Sequence, residues 1–239
     1  MSATAPAPSA GYPVDLLNAR LAAIAAEFRN VALASSLGAE DMVLTDAILR
    51  AGLPVAIFSL DTGRLHRESL AVLEQIRERY GYNVEVFRPN AAEVERYVGD
   101  HGLNAFYDSV ELRKRCCHIR KVEPLARALA GRGGWITGQR RDQSVTRTGL
   151  PIQERDEVHG IPKFNPLADW TEQQVWAYIR DYSVPYNRLH DRGYPSIGCE
   201  PCTRAIRPGE DIRAGRWWWE SRNSKECGLH SRPQTEATV

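Results

Sequence analysis

Strand-like and helix-like stretches alternate through the first 137 residues, and this constrains the fold more than any other feature of the chain. Leu17, Leu21, Ile24, Ala25 and Phe28 recur at helical spacing over 13–28. Val31–Ser36 then reads as a strand, Leu37-Gly38 as a turn, and 40–51 as a helix. Pro54–Leu60 is a second strand, closed by Asp61-Thr62-Gly63. The helix expected over 65–80 turns Leu65, Leu70, Leu73 and Ile76 inward. Val84–Phe87 is a third strand and 91–98 a short helix. A helix over 119–130 buries Ile119, Val122, Leu125 and Leu129, and Trp135–Thr137 is a fourth strand. Short β-like pieces flank His159-Gly160, and an amphipathic helix covers 171–182. Alternation of this kind predicts an α/β, doubly wound, mostly parallel sheet. Ligands of such sheets sit beyond the carboxyl ends of the strands, where the loops 35–41, 60–64 and 138–147 fall.

Five cysteines carry the chemistry: Cys116 and Cys117 adjacent, Cys199 and Cys202 as a C-x-x-C pair, and Cys227 alone. An odd count without a secretion signal argues against a disulfide framework. Two distant pairs suit four thiolates converging on one metal centre, which selects zinc or an iron–sulfur cluster. Structural zinc sites usually space their ligands by two to four residues, so the adjacent pair favours a [4Fe–4S] cluster. Two plainer readings stand beside this one. Buried cysteines serve as small core hydrophobes, and Cys199-Glu200-Pro201-Cys202 resembles a redox pair, although it follows a turn-rich stretch rather than a strand end.

Thirty-one Lys and Arg against thirty Asp and Glu leave a net charge of +1, so any anion site is local and no nucleic-acid or membrane partner is expected. No apolar run is long enough to span a bilayer, and the first residues lack the marks of a secretory signal, so a cytoplasmic protein is expected. Ala34-Ser35-Ser36-Leu37-Gly38-Ala39-Glu40-Asp41 joins a strand to a helix. Its amides, hydroxyls and glycine make a phosphate cradle or, equally, an ordinary cap. Arg140, Arg141 and Arg147 around Gly138 either clamp an anion or pair with Asp142 and Glu154; Arg213 and Arg216 pose the same choice. Trp217-Trp218-Trp219 reads as packing, and His66 and His190 as structural histidines. Cys227, with Lys225 and His230 as cationic neighbours, is either an activated thiol or a solvated one.

Taken together, SSLGAED (35–41), LDTGRL (60–65), KRCCHIRKVEPL (114–125), TGQRRDQS (137–144), NPLADW (165–170), GCEPC (198–202) and ECGLH (226–230) resemble the assimilatory adenylyl-sulfate reductases. These form the iron–sulfur branch of the family that also contains the 3′-phosphoadenylyl-sulfate reductases. The resemblance implies an adenine nucleotide alpha-hydrolase-like fold. It further implies reduction of adenosine 5′-phosphosulfate to sulfite and AMP through an S-sulfocysteine, in sulfate assimilation toward cysteine. Cys116, Cys117, Cys199 and Cys202 would hold one [4Fe–4S] cluster per chain, and Cys227 would be the nucleophile, with His230 and Lys121 beside it. Ser35, Ser36, Gly38, Leu60, Gly138, Arg147, Arg213 and Arg216 would bind substrate. Many relatives carry a serine where this chain has Leu37, so Ser35 or Ser36 must supply the hydroxyl.

The chemistry implied needs two electrons, and one spare thiol supplies half of a disulfide. An external dithiol, a thioredoxin or glutaredoxin-like protein, is therefore the expected partner; a homo-oligomer is left open. The expected organisation is a disordered lead over 1–12, one nucleotide-binding and iron–sulfur domain over 13–210, and a mobile segment over 211–239. The alternatives are a 3′-phosphoadenylyl-sulfate reductase, a tRNA-thiolating enzyme of related fold, and a zinc-stabilised nucleotide-binding module.

Overall fold

A computed structural model describes residues 12–143 and 149–221. Six strands form one sheet in the order β3-β2-β1-β4-β6-β5. They are β1 (Val31–Ser35), β2 (Ala56–Leu60), β3 (Glu85–Phe87), β4 (Gly134–Ile136), β5 (Gln153–Asp156) and β6 (Ile161–Phe164). All neighbours run parallel except β5, which returns as a hairpin against β6. The pieces expected around His159-Gly160 are this hairpin. Seven α-helices accompany the sheet: α1 (Val14–Glu27), α2 (Ala39–Arg50), α3 (Arg67–Tyr80), α4 (Ala91–His101), α5 (Val110–Cys117), α6 (Glu123–Leu129) and α7 (Glu172–Asp181). The chain builds outward from β1 to β3, then crosses back to lay β4 on the other side of β1. That reversal opens a crevice at the carboxyl ends of β1 and β4.

Period-two alternation distributes the strand residues between the two faces. Val31, Leu33, Ile57 and Ile136 enter the larger core with α1, α2, α3 and α7. Ala32, Phe58 and Trp135 face Leu125, Ala128 and Leu129 of α6. Inside the larger core the buried Asp46 of α2 accepts hydrogen bonds from Tyr80 (2.9 Å) and Tyr178 (2.7 Å), tying α3 and α7 to α2. Thr171 and Gln174 close a capping box that starts α7 where the sequence placed it.

One facing and three boundaries differ from expectation. Leu70 points outward, because α3 buries the stripe Ser69, Val72 and Ile76 instead. The helix expected at 119 begins earlier: α5 ends at Cys116-Cys117, and a π-helical turn over His118–Val122 joins it to α6. Tyr12, placed in the lead, is buried against Trp170 and Tyr178 and donates to Asp181 Oδ2 (2.8 Å). Residues 211–221, placed in the C-terminal segment, pack onto the body: Arg216 bridges to Thr203, and Trp217 is buried.

Candidate active site

A cavity of about 250 Å³ opens at the crevice. Its floor is the β1–α2 connection. Ser35 closes β1 in register with Ser59 of β2. Leu37 adopts a left-handed backbone (φ 64°), which carries its side chain into the large core. Its N–H donates to Ser35 Oγ (3.2 Å). Ser36 donates twice to Asp41 Oδ2, from its amide (2.7 Å) and its hydroxyl (2.6 Å). Burial pushes the Asp41 carboxyl up to about 6, against the opposing pull of the Ser36 hydrogen bonds. Gly38 begins α2 without a side-chain cap, so the first amides of the helix are left for another acceptor. Gly138, after β4, lies so close that a Cβ there would overlap Asp41 Oδ1 and come within 2.9 Å of Glu40 Cβ.

Of the residues singled out for substrate, Ser35, Ser36, Gly38, Leu60, Gly138, Arg213 and Arg216 all line this one cavity, as does Lys121. Arg147, Cys227 and His230 lie outside the described residues. Arg140 and Arg141 are occupied elsewhere. The buried Arg140 guanidinium donates to Glu40 Oε1 from Nε (2.9 Å) and from a terminal nitrogen (2.8 Å). Arg141 Nε donates to the Leu150 carbonyl (2.8 Å). The Glu40 partner of Arg140 is one hundred residues away in sequence, and the expected local pairing with Asp142 is present beside it at 3.4 Å. Arg216 stacks over Trp217 (4.6 Å) and reaches Ser196 Oγ and the Ile197 carbonyl at 3.5 Å, while its Nε is buried without a partner. Gly198 leaves room for it, because a Cβ there would run into the guanidinium.

The cavity also recruits residues given no binding role in the sequence. Thr62 and Gln139 line it, and Gln139 Oε1 is buried and unpartnered. His190 lines it too, with Nε2 buried and unpartnered and its basicity lowered by burial. A single histidine in a polar stretch gives no sequence signal for this; only the return of 190–198 to the sheet end shows it.

A second, smaller cavity is lined by Cys116, Cys117, Cys199 and Cys202. Ser109 caps α5 by accepting from the Leu112 amide (3.1 Å), and the helix delivers the adjacent pair at its last turn. The C-x-x-C segment is held from three sides. Glu200 N–H donates to the Arg64 carbonyl (2.8 Å), Trp217 N–H to the Cys202 carbonyl (3.2 Å), and Thr62 Oγ1 lies 3.2 Å from Cys199 Sγ. All four thiols are free of disulfides. Burial, and then the nearby Cys199, pushes Cys202 up to about 12; burial also raises Cys116. Arg64, Arg113, Arg120, Lys121 and Arg216 surround them. Among the described residues no group of three His, Cys, Asp or Glu could hold a metal ion as the side chains stand. The donor set nevertheless fits a polynuclear anionic centre: four thiols around one space, walled by cations. Lys121, Arg216 and Trp217 line both cavities, so the two share a wall.

Comparison with known proteins agrees with this geometry. The model of the phosphoadenosine phosphosulfate reductase domain matches residues 30–205. The adenosine 5′-phosphosulfate reductase of Burkholderia cepacia is 65% identical, over 96% of this chain and 92% of its own length. That of Allochromatium vinosum is 56% identical, over 89% and 83%. The phosphoadenylyl-sulfate reductase of Candida auris, solved as a phosphate complex, superposes with a TM-score of 0.68 at 29% identity, covering 80% of this chain and 90% of that one. The chain therefore belongs to the phosphoadenosine phosphosulfate reductase domain family.

Proposed function

We propose that this chain reduces adenosine 5′-phosphosulfate to sulfite and AMP at the expense of an external dithiol, within sulfate assimilation. The observation that carries the reading is the shared wall. The expected nucleotide-binding residues that fall among the described ones line one cavity, four of the five cysteines line the next, and Lys121, Arg216 and Trp217 belong to both. Names borne by relatives at 56–65% identity support the non-3′-phosphorylated substrate.

In this reading the α2 amides and the Ser35–Gly38 connection hold the phosphate side of the nucleotide. Lys121, Arg213, Arg216 and Arg147 neutralise the sulfate oxygens, without which a thiolate would be repelled. The Cys227 thiolate attacks the sulfate sulfur, the bond to the phosphate oxygen breaks, and AMP leaves with the electron pair. His230 and Lys225 favour the thiolate. The external dithiol then releases sulfite, becoming a disulfide and supplying both electrons. Cys116, Cys117, Cys199 and Cys202 would hold a [4Fe–4S] cluster, which when bound supplies a fixed anionic centre that orders the Lys121 and Arg216 wall. This chemistry suits the cytoplasm, where dithiol donors are kept reduced.

An anaerobic assay offering adenosine 5′-phosphosulfate and its 3′-phosphorylated analogue in parallel, with a thioredoxin as donor, tests the reading. Sulfite and AMP should form in equal amounts from the first nucleotide. A clear preference for the second would overturn the substrate assignment.

A further inference from the structure

Trp218 and Tyr107 expose 39% and 41% of their surface and Leu103 53%, although each is a large apolar side chain. The aromatic members form one group: Tyr107 lies 4.4 Å from Trp219 and 6.3 Å from Trp218, and the two tryptophans meet edge-on at 4.8 Å. The other large apolar side chains exposed among the described residues, Leu16, Leu70 and Val158, lie on α1, α3 and the β5–β6 turn. Tyr107 donates to the Pro201 carbonyl (2.7 Å), which places the aromatic group on the outer side of the four-cysteine cavity.

The root of the C-terminal segment is fixed beside this group. The Glu220 side chain is buried and forms a bidentate pair with the buried Arg113 (both contacts 2.9 Å), whose guanidinium also stacks on Trp217 at 4.8 Å. Trp217 faces both cavities while Trp218 is exposed, so the tryptophan triplet passes from the inside of the wall to the outside. Cys227 follows Ser221 by six residues, so its Cα cannot lie farther than about 22 Å from that of Ser221. The thiol of any protein that exchanges with Cys227 must come to within about that distance of Ser221. The aromatic group adjoins Ser221 in the chain through Trp219.

We propose that Tyr107, Trp218 and Trp219, with the exposed Leu103 four residues before Tyr107 in the chain, form the docking face for the dithiol protein that regenerates Cys227. This rests on the function proposed above and adds to it where the partner binds. Exposed tryptophan and tyrosine are the residue types that anchor protein interfaces, and this group lies beside the root of the segment that carries Cys227. In the step served, one donor thiolate attacks Cys227 Sγ of the S-sulfonate. The bond between the two sulfurs breaks, and sulfite leaves with the electron pair. The second donor thiol, losing its proton, then attacks the mixed disulfide. Cys227 is returned as a thiolate, and the donor departs as a disulfide.

The test compares two reductants on Trp218→Ser and Leu103→Ser variants of the iron-loaded full chain. Dithiothreitol needs no docking face; a thioredoxin does. The proposal expects unchanged formation of the S-sulfonate and unchanged sulfite release with dithiothreitol. It expects KM for thioredoxin to rise about tenfold in Trp218→Ser and less in Leu103→Ser. A thioredoxin KM within twofold of wild type in both variants would overturn it. An equal loss with both reductants would also overturn it, by assigning the residues to the chemistry or the fold. Sedimentation that shows these variants dissociating an oligomer, with thioredoxin kinetics intact, would give the face to a second copy of this chain. Wild-type protein that forms no S-sulfonate at all would refute the underlying function instead, and the docking face with it.

Discussion

Asp41 has the most to do for its size. Its carboxylate holds the Ser36 amide and hydroxyl and lies against Gly138, so one buried side chain sets the distance between the β1–α2 connection and the loop after β4. Burial raises its value from 3.8 to about 6. A carboxyl that binds its proton more tightly in the fold than in the unfolded chain contributes stability that is full below the unfolded value and lost as pH rises through the folded one. Wild type should therefore lose stability relative to Asp41→Asn between about pH 4 and pH 6, read from denaturant unfolding across that range. A pH-independent difference would show that Asp41 titrates normally. Gly138→Ala pushes a methyl into the same contact. It should cost about 1–3 kcal/mol of stability, the usual range for overpacking, and weaken AMP binding measured by calorimetry. Both residues stood in motifs quoted from the sequence, but their contact across 97 positions did not, because nothing local to either residue encodes it.

At the level of elements, the strands and the helices α1, α2 and α7 were legible because periodicity and turn chemistry agreed. The π-helical turn at His118–Val122 was not. It inserts extra residues per turn between α5 and α6, and apolar positions on its two sides still fit a helical period, so the pattern looks like one helix starting at 119. The turn matters because it lies between the cysteine pair and α6 and carries Lys121 to the shared wall. The stretch 211–221 was misplaced for a related reason. Its anchor, Glu220, pairs with Arg113, 107 residues earlier in the chain, and nothing local to either residue encodes that contact. Glu220→Gln leaves Arg113 buried with a weakened partner and should destabilise the protein by about 3–5 kcal/mol, as broken buried ion pairs do. Thermal unfolding measures this. A change below about 1 kcal/mol would mean that the pair is worth no more than a surface contact.

The whole molecule divides its labour between a sheet core and a cysteine-bearing wall. The large core contains none of the four paired cysteines; Cys199 and Cys202 belong to a small separate cluster with Phe106 and Trp217. Iron-depleted protein, and a Cys199→Ser variant, should accordingly keep the far-UV circular dichroism and a cooperative unfolding transition while losing near-UV signal from Trp217. Global unfolding on iron removal would contradict that division. The two cysteine pairs and the loops at the sheet end were legible in the sequence, whereas His190 read as structural and Gln139 had no role, because chain returns over long separations bring both to the cavity. The partition of the five cysteines is tested most directly by one preparation. Anaerobically purified chain is exposed to adenosine 5′-phosphosulfate without reductant, its iron and sulfide are counted, and its cysteine peptides are weighed. About four iron and four sulfide per chain are expected, with one SO3 group added on the Cys227 peptide alone. Iron-free chain that is fully active, or an adduct on any of Cys116, Cys117, Cys199 or Cys202, would contradict the partition.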